Sequence, residues 1–328
     1  MKILVLTARE VEELLAMKDC IEVMADALAA LARNEVALPL RSVLRPPNAK
    51  GLMAMMPAYR YGKEGVFGLK AICVFPENPQ LGKDAHQGFV MLFSGETGEP
   101  LALMNASAIT AIRTAAVSAV ATRLLAREDA SDLAIIGSGV QARTHLSAIS
   151  CVRRLKRARV VSNNYEHARQ FAVELKHRFP FPIEALRSVA EAVRGADLIV
   201  TATTSAKPVL KREWLLSGTH INAVGTYSPT AREIDGPTMA TARIYVDRRE
   251  SALSEAGDYV IAAQEGLIGP ERILGEIGEI LIGEKTGRIS PNEITLFKSL
   301  GLAIEDVAAA QYLFSKAQRE SRGSWIDF

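Results

Sequence analysis

A glycine-rich turn is the segment best suited to hold a charged ligand. Gly137-Ser138-Gly139-Val140-Gln141-Ala142 follows the apolar run 133–136 and precedes residues with helical spacing. In this context the first glycine makes the turn, and the second lets the backbone approach a pyrophosphate. Amides at the start of the helix then bind the anion. The pattern predicts a Rossmann-type dinucleotide site, and a tight turn without a ligand is the alternative.

The end of the next predicted strand bears on which dinucleotide binds. An acidic residue about 20 positions past the glycines binds the ribose 2′-hydroxyl of NAD and repels the 2′-phosphate of NADP. This chain has Ser162, Asn163 and Asn164 there. Such side chains can donate to a phosphate or to a hydroxyl, so the sequence favours NADP and leaves NAD open. A polar turn without a ligand contact is the alternative.

The segments around the glycine turn predict a parallel sheet. Strand-like pieces lie at 133–136, 159–162, 197–202, 219–224 and 243–247, and helical pieces begin near Gln141 and at Tyr165. This alternation is typical of a sheet covered by helices on both faces, so the expected fold class is α/β. Glycines interrupt residues 257–287, which are compatible with a helix pair or with a loop.

The flanking regions predict a second architecture. Thr7 and Glu10 have the spacing of a capping box before a helical stretch. Between residues 38 and 103, Pro and Gly punctuate short β-prone pieces, whereas 105–127 lack both and predict a long buried helix. From about Pro291 we expect another helix. The residues expected on its apolar face are Phe297, Leu300, Ile304, Val307 and Leu313.

Composition excludes several classes of function. The 328 residues carry 39 Lys and Arg against 37 Asp and Glu, a net charge of +2, which provides no sequence-wide field for nucleic acid. The three cysteines are scattered, so neither a disulfide framework nor a zinc site is expected. The apolar run 3–6 is too short for a signal peptide or membrane span. We expect a cytoplasmic protein with no metal and no nucleic-acid or membrane partner.

Together with the glycine turn, several stretches resemble the ornithine cyclodeaminase and mu-crystallin family over nearly the whole chain. They are 70–79 (KAICVFPENP), 110–116 (TAIRTAA), 218–225 (GTHINAVG), 255–258 (EAGD) and 297–301 (FKSLG). The resemblance implies an α+β substrate-binding and dimerisation domain at 1–125 and a Rossmann domain at 126–295. A C-terminal helix at 296–328 returns to the first domain. It also implies a homodimer that moves a hydride between a nicotinamide and the α-carbon of an α-amino or α-imino acid.

The resemblance further implies that Arg45, Lys70 and Arg113 clamp the substrate carboxylate, for which a guanidinium is a planar fork. Lys70 is the expected catalytic residue, which protonates or polarises the imine nitrogen, because a buried lysine near two arginines has a lowered pKa. Arg113 lies among apolar residues, where an unpaired charge is costly, so we expect substrate or cofactor phosphate to pair with it. The alternatives are a solvated loop position for Arg45 and a strand lysine that reaches solvent for Lys70.

Cofactor contacts implied by the resemblance extend beyond the glycine turn. Besides Ser138, Val140 and Gln141 of that turn, they are His86, Thr114, Thr203, Val224 and Ser299. For His86, a plain surface position is the alternative.

Two positions depart from the family pattern. Cyclodeaminases and the related alanine dehydrogenase have an Asp two residues after the Gly of Asn-Ala-Val-Gly, where this chain has Tyr227. An Asp can take a proton from an amino group or activate water, which a tyrosine hydroxyl does poorly at neutral pH. We expect Tyr227 to line the substrate ring pocket or to be a packing residue. Asn105 replaces an Asp before the long helix, and since both are N-cap residues we expect little change.

The absent Asp favours the cyclic imine reductases of the family. The expected reaction is NAD(P)H-dependent reduction of Δ1-pyrroline-2-carboxylate or Δ1-piperideine-2-carboxylate to L-proline or L-pipecolate. An ornithine or lysine cyclodeaminase, or an alanine-type amino-acid dehydrogenase, is the enzymatic alternative. The remaining alternative is an NADPH-dependent protein of the mu-crystallin type that binds a small ligand.

Overall fold

The computed structural model describes residues 1–63 and 65–328. Its strands are β1 (Lys2–Leu6), β2 (Val36–Ala37), β3 (Ser42–Leu44), β4 (Leu52–Arg60), β5 (Val66–Val74), β6 (His86–Ser94), β7 (Pro100–Asn105), β8 (Asp132–Ile136), β9 (Arg157–Val161), β10 (Ile183–Leu186), β11 (Leu198–Thr201), β12 (His220–Ala223), β13 (Arg243–Val246), β14 (Ile273–Glu276), β15 (Thr295–Lys298) and β16 (Ser324–Asp327).

Its α-helices are α1 (Ala8–Leu14), α2 (Met17–Ala32), α3 (Ala106–Leu125), α4 (Val140–Val152), α5 (Tyr165–Leu175), α6 (Val189–Val193), α7 (Gly236–Thr241), α8 (Arg249–Glu255), α9 (Gly257–Gln264), α10 (Ile277–Leu281) and α11 (Ala303–Glu320). Short 3₁₀ helices occur at Asn78–Leu81, Arg212–Trp214 and Pro270–Arg272.

The chain divides into two compact units. Unit 1 is Met1–Arg113 with Gly301–Phe328, and unit 2 is Thr114–Leu300. The chain therefore crosses between units at 113/114 and 300/301, rather than at the expected 125/126 and 295/296. The first crossing falls inside α3, and the second lies later than expected because β15 is hydrogen-bonded within the unit 2 sheet.

Unit 1 contains a mixed sheet ordered β16-β1-β7-β6-β5-β4-β2, with β3 also paired to β4. Residues on β5 alternate between the two faces of the sheet, and those at 66, 68, 70, 72 and 74 are buried on one face. Helix α11 contacts β4, β5 and β6, and it also packs on α2. Gly68 permits close approach of α11, since a Cβ there would overlap the Val307 Cγ2 methyl. This contact fixes α11 over β5, the strand that carries Lys70.

Unit 2 contains a parallel sheet ordered β10-β9-β8-β11-β12-β15-β13-β14. Two apolar clusters cover it, one built around Ile199, Ile221 and Leu296 and the other around Leu133, Leu146 and Phe171. The chain turns from β8 to β9 on one side and reaches β11 on the other, so the strand order reverses at β8. Ligands of doubly wound sheets bind at such a switch point, outside the carboxyl ends of the strands. The expected α/β class is confirmed.

Several local predictions are also confirmed. Thr7 and Glu10 form the capping box of α1. Asn105 caps the long helix α3, because its Oδ1 accepts a hydrogen bond from the Ala108 N–H at 2.9 Å. The glycine-interrupted region 257–287 contains α9 and α10, with the short edge strand β14 between them.

The helix predicted from Pro291 is partly wrong. Phe297 lies in the buried strand β15, and α11 begins only at Ala303. A short apolar run has no periodicity that separates a central strand from a buried helix, and pairing with β12 and β13 decides between them.

Helix α3 is long and apolar enough to cross a membrane, and it is the one such helix among the described residues. However, 78% of its most apolar stretch is buried inside the protein, as in the core helix of a globular protein.

The close approach at Gly68 gives a test of the unit 1 core. Gly68→Ala is expected to destabilise the protein by about 1–3 kcal/mol, because the added methyl overlaps Val307. Val307→Ala removes the opposing methyls, so the double variant should lose less than the sum of the two single losses. Urea denaturation of all four proteins measures this, and strict additivity would contradict the proposed overlap.

Candidate active site

Lys70 and Arg113 lie together in a buried ionic cluster of unit 1. Lys70 Nζ is 3.1 and 3.2 Å from the two carboxylate oxygens of Asp306. Arg113 Nε donates to Asp306 Oδ1 at 3.0 Å, and its Nη1 forms an ion pair with Glu305. All four side chains are buried. Two carboxylates of this chain therefore already balance the charge of Arg113, and its contact with substrate or cofactor phosphate stays a prediction.

Sequence reasoning missed Glu305 and Asp306. Both lie in the first turn of α11, where the helix dipole favours acidic side chains. A signal was present, because two adjacent acids interrupt an otherwise apolar stretch that was expected to be buried. Their partners lie far away in the sequence, on β5 and α3, so only the packing of α11 brings these groups together.

The cluster changes the proton affinity of Lys70. Its pKa is lowered to about 8, chiefly by burial, with the charges of Arg113 and Arg41 acting in the same direction and Asp306 acting in the opposite direction. A lysine of this kind is largely protonated at neutral pH, yet it can release its proton to a basic nitrogen. The two cations and two acids cancel formally, so another cation is required for a net attraction to a substrate carboxylate.

Two arginines before β4 are candidates for that cation. Arg45 is exposed, just beyond the end of β3. Arg41 is half-buried and donates to the Gly301 carbonyl at 2.8 Å, and its charge reaches Lys70. Sequence reasoning did not consider Arg41, and the role of Arg45 stays a prediction.

His86, the first residue of β6, is half-buried rather than a plain surface residue. Burial lowers its pKa, as do the charges of Lys70 and Arg113. Its side chain therefore experiences the field of the ionic cluster. Contact with a cofactor stays a prediction.

The glycine turn of unit 2 has the geometry of an anion cradle. Gly137 has a φ of 118°, and a Cβ there would overlap the Ala202 carbonyl oxygen. Gly139 is the N-cap of α4, and no described atom lies within 4 Å of the position of its absent Cβ. No side chain of the described part of the chain caps this helix start, so its first amides can meet an anion. The turn fits a dinucleotide pyrophosphate.

Polar side chains surround this cradle at the end of β9. Ser138 Oγ donates to Ser162 Oγ at 3.0 Å. Asn163 Oδ1 accepts from the Asn164 N–H, and Asn164 Oδ1 caps α5 by accepting from the Glu166 N–H. The oxygens of both amides thus shape the loop. Val140 and Gln141 form the exposed and half-buried start of α4.

The remaining predicted cofactor residues follow three neighbouring strands, except Thr114, which is buried in α3. Thr203 lies just after β11, Val224 follows β12 and Ser299 follows β15. These strands are adjacent in the sheet, so the three residues share its carboxyl edge. Ser299 is 3% exposed, and its Oγ has no hydrogen-bond partner among the described residues, as expected of a group reserved for a ligand.

Tyr227 lies in the loop after β12 and is 42% exposed. Its predicted place in a ring pocket stays a prediction. Sequence reasoning also missed several buried charged residues of unit 2, and three of these are Glu233, Asp258 and Lys298. Asp258 and Lys298 belong to the stretches 255–258 and 297–301, and the sequence analysis did not predict that they form an ion pair. Among residues 1–63 and 65–328, no group of His, Cys, Asp and Glu side chains could hold a metal ion.

The family model "Ornithine cyclodeaminase/mu-crystallin family" matches residues 1–321. The chain belongs to this family. Among its family relatives, a Δ1-pyrroline-2-carboxylate reductase of Bacillus cereus is 40% identical over 326 residues, which cover 99% of this chain and 100% of that protein. The resemblance seen in the sequence is thereby confirmed.

Solved structures of the family have the same fold. The Thermococcus litoralis Δ1-pyrroline-2-carboxylate reductase, in complex with NADH and L-proline, superposes with a TM-score of 0.95 at 38% identity and covers 98% of this chain and 99% of its own. An archaeal alanine dehydrogenase dimer with bound NAD gives a TM-score of 0.94 at 36% identity over 100% of both chains. Both the reductase and the dehydrogenase types of the family are thus close in structure.

The glycine turn gives a paired test of dinucleotide binding. Gly139→Ala adds a methyl group to open space, so the melting temperature should be unchanged. The methyl group blocks the approach of the pyrophosphate to the backbone, so the affinities for NADH and NADPH should fall about tenfold or more. Gly137→Ala forces a positive φ and an overlap with Ala202, so it should lower both stability and affinity. Thermal denaturation and titration calorimetry measure these effects. Unchanged affinity in a folded Gly139→Ala protein would rule out the cradle as the binding site.

Proposed function

We propose that this chain reduces the cyclic α-imino acid Δ1-pyrroline-2-carboxylate to L-proline with NAD(P)H, and Δ1-piperideine-2-carboxylate to L-pipecolate by the same chemistry. The coarser class, an NAD(P)-dependent imine reductase, is that of the named reductase relatives. The main support for a cyclic imino acid as substrate is the position and pKa of Lys70. It is a buried ammonium with a pKa of about 8 that lies beside Arg113.

The ionic cluster supports separate roles for Arg113, which binds the substrate carboxylate, and Lys70, which transfers a proton. Arg113 has five N–H donors, and the ion pairs engage those on Nε and Nη1, while Nη2 carries further donors for a substrate carboxylate. Asp306 and Glu305 hold the guanidinium plane in place, so little side-chain entropy is lost on binding. Arg41 supplies positive charge beyond the balanced pairs.

Lys70 is placed to handle the proton. When bound, a nicotinamide dinucleotide supplies the hydride that reduces the imine carbon. As the electron pair of the C=N bond moves to nitrogen, Lys70 Nζ donates a proton there and becomes neutral, while Asp306 keeps the amine oriented. Water then returns the proton to Lys70. A chain with Tyr227 in place of the family Asp has no carboxylate at that position for deamination.

The substrate assignment has a direct assay. Purified protein with Δ1-pyrroline-2-carboxylate and NADH or NADPH should lose absorbance of the reduced nicotinamide and form L-proline. Lys70→Ala should lower kcat by about 100-fold or more, because general acid catalysis is lost, while dinucleotide affinity is retained. Absence of turnover with both cyclic imines and both nucleotides would overturn the proposal. Ammonia release from ornithine, lysine or alanine would point instead to the cyclodeaminase or dehydrogenase alternative.

The lowered pKa of Lys70 predicts a pH profile. The reaction requires the protonated amine, which is lost as pH rises through about 8, so kcat/KM should fall on the alkaline side with that apparent pKa. Lys70→Arg keeps a cation that stays protonated, so its slower reaction should lack the alkaline fall. Profiles measured between pH 6 and 10 compare the two proteins. An identical alkaline fall in Lys70→Arg would assign the titration to another group.

For the cofactor, we propose NADPH, with NADH as a second reductant. The loop at 162–164 has no acid to repel a 2′-phosphate, which supports NADPH. The T. litoralis reductase binds NADH, which supports the second nucleotide. Ser162→Asp should shift the ratio of kcat/KM towards NADH by about tenfold or more, through repulsion of the phosphate. Ser162→Ala serves as the uncharged control, and a similar shift there would exclude charge as the cause.

We also propose a homodimer formed through the outer face of the unit 1 sheet. Residues on this face are apolar yet exposed, and they include Leu44, Met53, Met55, Phe67 and Phe89. Cross-strand pairs such as Met53 with Cys73 and Ala71 with Phe89 make the face continuous. Continuous exposed apolar surface marks an interaction site, and identical faces suit a twofold dimer.

For its location, we propose the cytoplasm. The support is compositional, since the few scattered cysteines suit a reducing compartment.

A further inference from the structure

Glu233 is a fully buried carboxylate of unit 2 that the proposed reaction does not use. Its Oε1 accepts hydrogen bonds from the backbone N–H and the hydroxyl of Thr203, each at 2.7 Å. Its Oε2 accepts from the Thr201 hydroxyl at 2.9 Å and from the Gly225 N–H at 2.7 Å. One side chain therefore ties the carboxyl end of β11 to that of β12.

The donors around Glu233 require a carboxylate. The N–H groups of Thr203 and Gly225 can only donate, and they approach different oxygens, so both oxygens must accept. A glutamine amide offers one acceptor oxygen and would direct its own donors at one of these N–H groups. Burial raises the pKa of Glu233, while the charge of Lys298 and the bonds from Thr203 lower it. The surrounding structure thus supports a costly buried acid with matched donors.

Two further buried residues hold Glu233 in place. Asp258 Oδ1, on α9, accepts from the backbone N–H groups of Glu233 and Ile234 at 2.7 and 2.8 Å. Asp258 Oδ2 forms an ion pair with Lys298 Nζ, on β15, at 2.8 Å. The position of residue 225 is equally restricted, because a Cβ there would lie 2.5 Å from Glu233 Oε1. The two strand ends and the carboxylate therefore form one rigid assembly.

The place of this assembly in the sheet indicates its role. A doubly wound sheet binds a dinucleotide across its switch point, with one mononucleotide half on each side. The glycine turn and the loop at 162–164 follow β8 and β9, whereas Thr203 and Gly225 follow β11 and β12 on the other side. The first pair suits the adenosine half and the pyrophosphate, which leaves the second for the nicotinamide half.

We propose that Glu233 is a positioning residue for the nicotinamide half of the dinucleotide. Its hydrogen bonds fix the backbone at Thr203 and Gly225, and it does not touch the dinucleotide itself. Asp258 and Lys298 fix Glu233 in turn. The inference rests on the proposed function in needing a bound dinucleotide, although not on the identity of the substrate.

Ligands that carry or lack the nicotinamide test this role. ADP contains the adenosine and pyrophosphate but neither the second ribose nor the nicotinamide, so it engages the glycine turn and not the nicotinamide half of the site. In Glu233→Gln, the Kd of NADH measured by calorimetry should rise about tenfold or more, because a buried charged hydrogen-bond network is broken. The Kd of ADP should stay as in the wild-type protein. Glu233→Asp keeps the charge but is one methylene shorter, so it should show the same selective loss, and it decides the matter if the glutamine variant fails to fold.

Glu276→Gln is the matched control. Glu276 also accepts a backbone N–H, that of Arg249 at 2.7 Å, but it lies at the end of the edge strand β14. Both Kd values should be unchanged there. Equal weakening of NADH and ADP in the Glu233 variants, or weakening of neither, would overturn the role assigned to Glu233. A wild-type protein that binds neither ligand would instead refute the proposed function.

Discussion

The bridge that Asp306 forms between Lys70 and Arg113 is the interaction on which unit 1 depends. A single buried carboxylate contacts an ammonium and a guanidinium, and Glu305 takes the second side of the guanidinium. Breaking such a network by removal of one partner leaves an uncompensated charge in a low-dielectric interior, at a cost of about 3–5 kcal/mol. The cluster therefore fixes the start of α11 on β5 and α3, and the small residue at 68 lets the helix approach closely enough for it to form.

The same contacts give the cluster its chemistry. A lysine that is desolvated and placed near two arginines holds its proton less tightly than one in water, while Asp306 keeps it from losing the proton altogether. An imine reductase needs a proton donor that works near neutral pH beside a cation for the carboxylate. In the proposed reaction, structural pairing and proton transfer depend on one set of atoms, so a substitution there is expected to change stability and activity together.

Unit 2 also contains a buried carboxylate with several partners, but this one lies at the ends of the parallel strands. Parallel strands end at one edge, and the loops that leave them must present backbone groups to a ligand without falling into many conformations. The buried acid Glu233 accepts from two of these strand ends, and the pair of Asp258 and Lys298 anchors the acid. In both units, a buried carboxylate holds neighbouring elements in position. Both of its oxygens accept hydrogen bonds or ion pairs, and these contacts do the work that apolar packing does elsewhere in the core.

Features that depend on local pattern could be predicted from the amino-acid sequence alone. The strand, glycine turn and helix around Gly137 predicted the Rossmann unit, the cap at Asn105 and the alternation from residue 133 to 247 were sound, and the family stretches predicted Lys70 and Arg113 as site residues. The groups that balance those two charges could be identified only from the fold, because Glu305 and Asp306 are more than a hundred residues away from Lys70 and Arg113 along the chain. The fold also makes residues 295–298 a central strand, since a stretch of four residues is too short to show a period and is held as a strand by hydrogen bonds with β12 and β13.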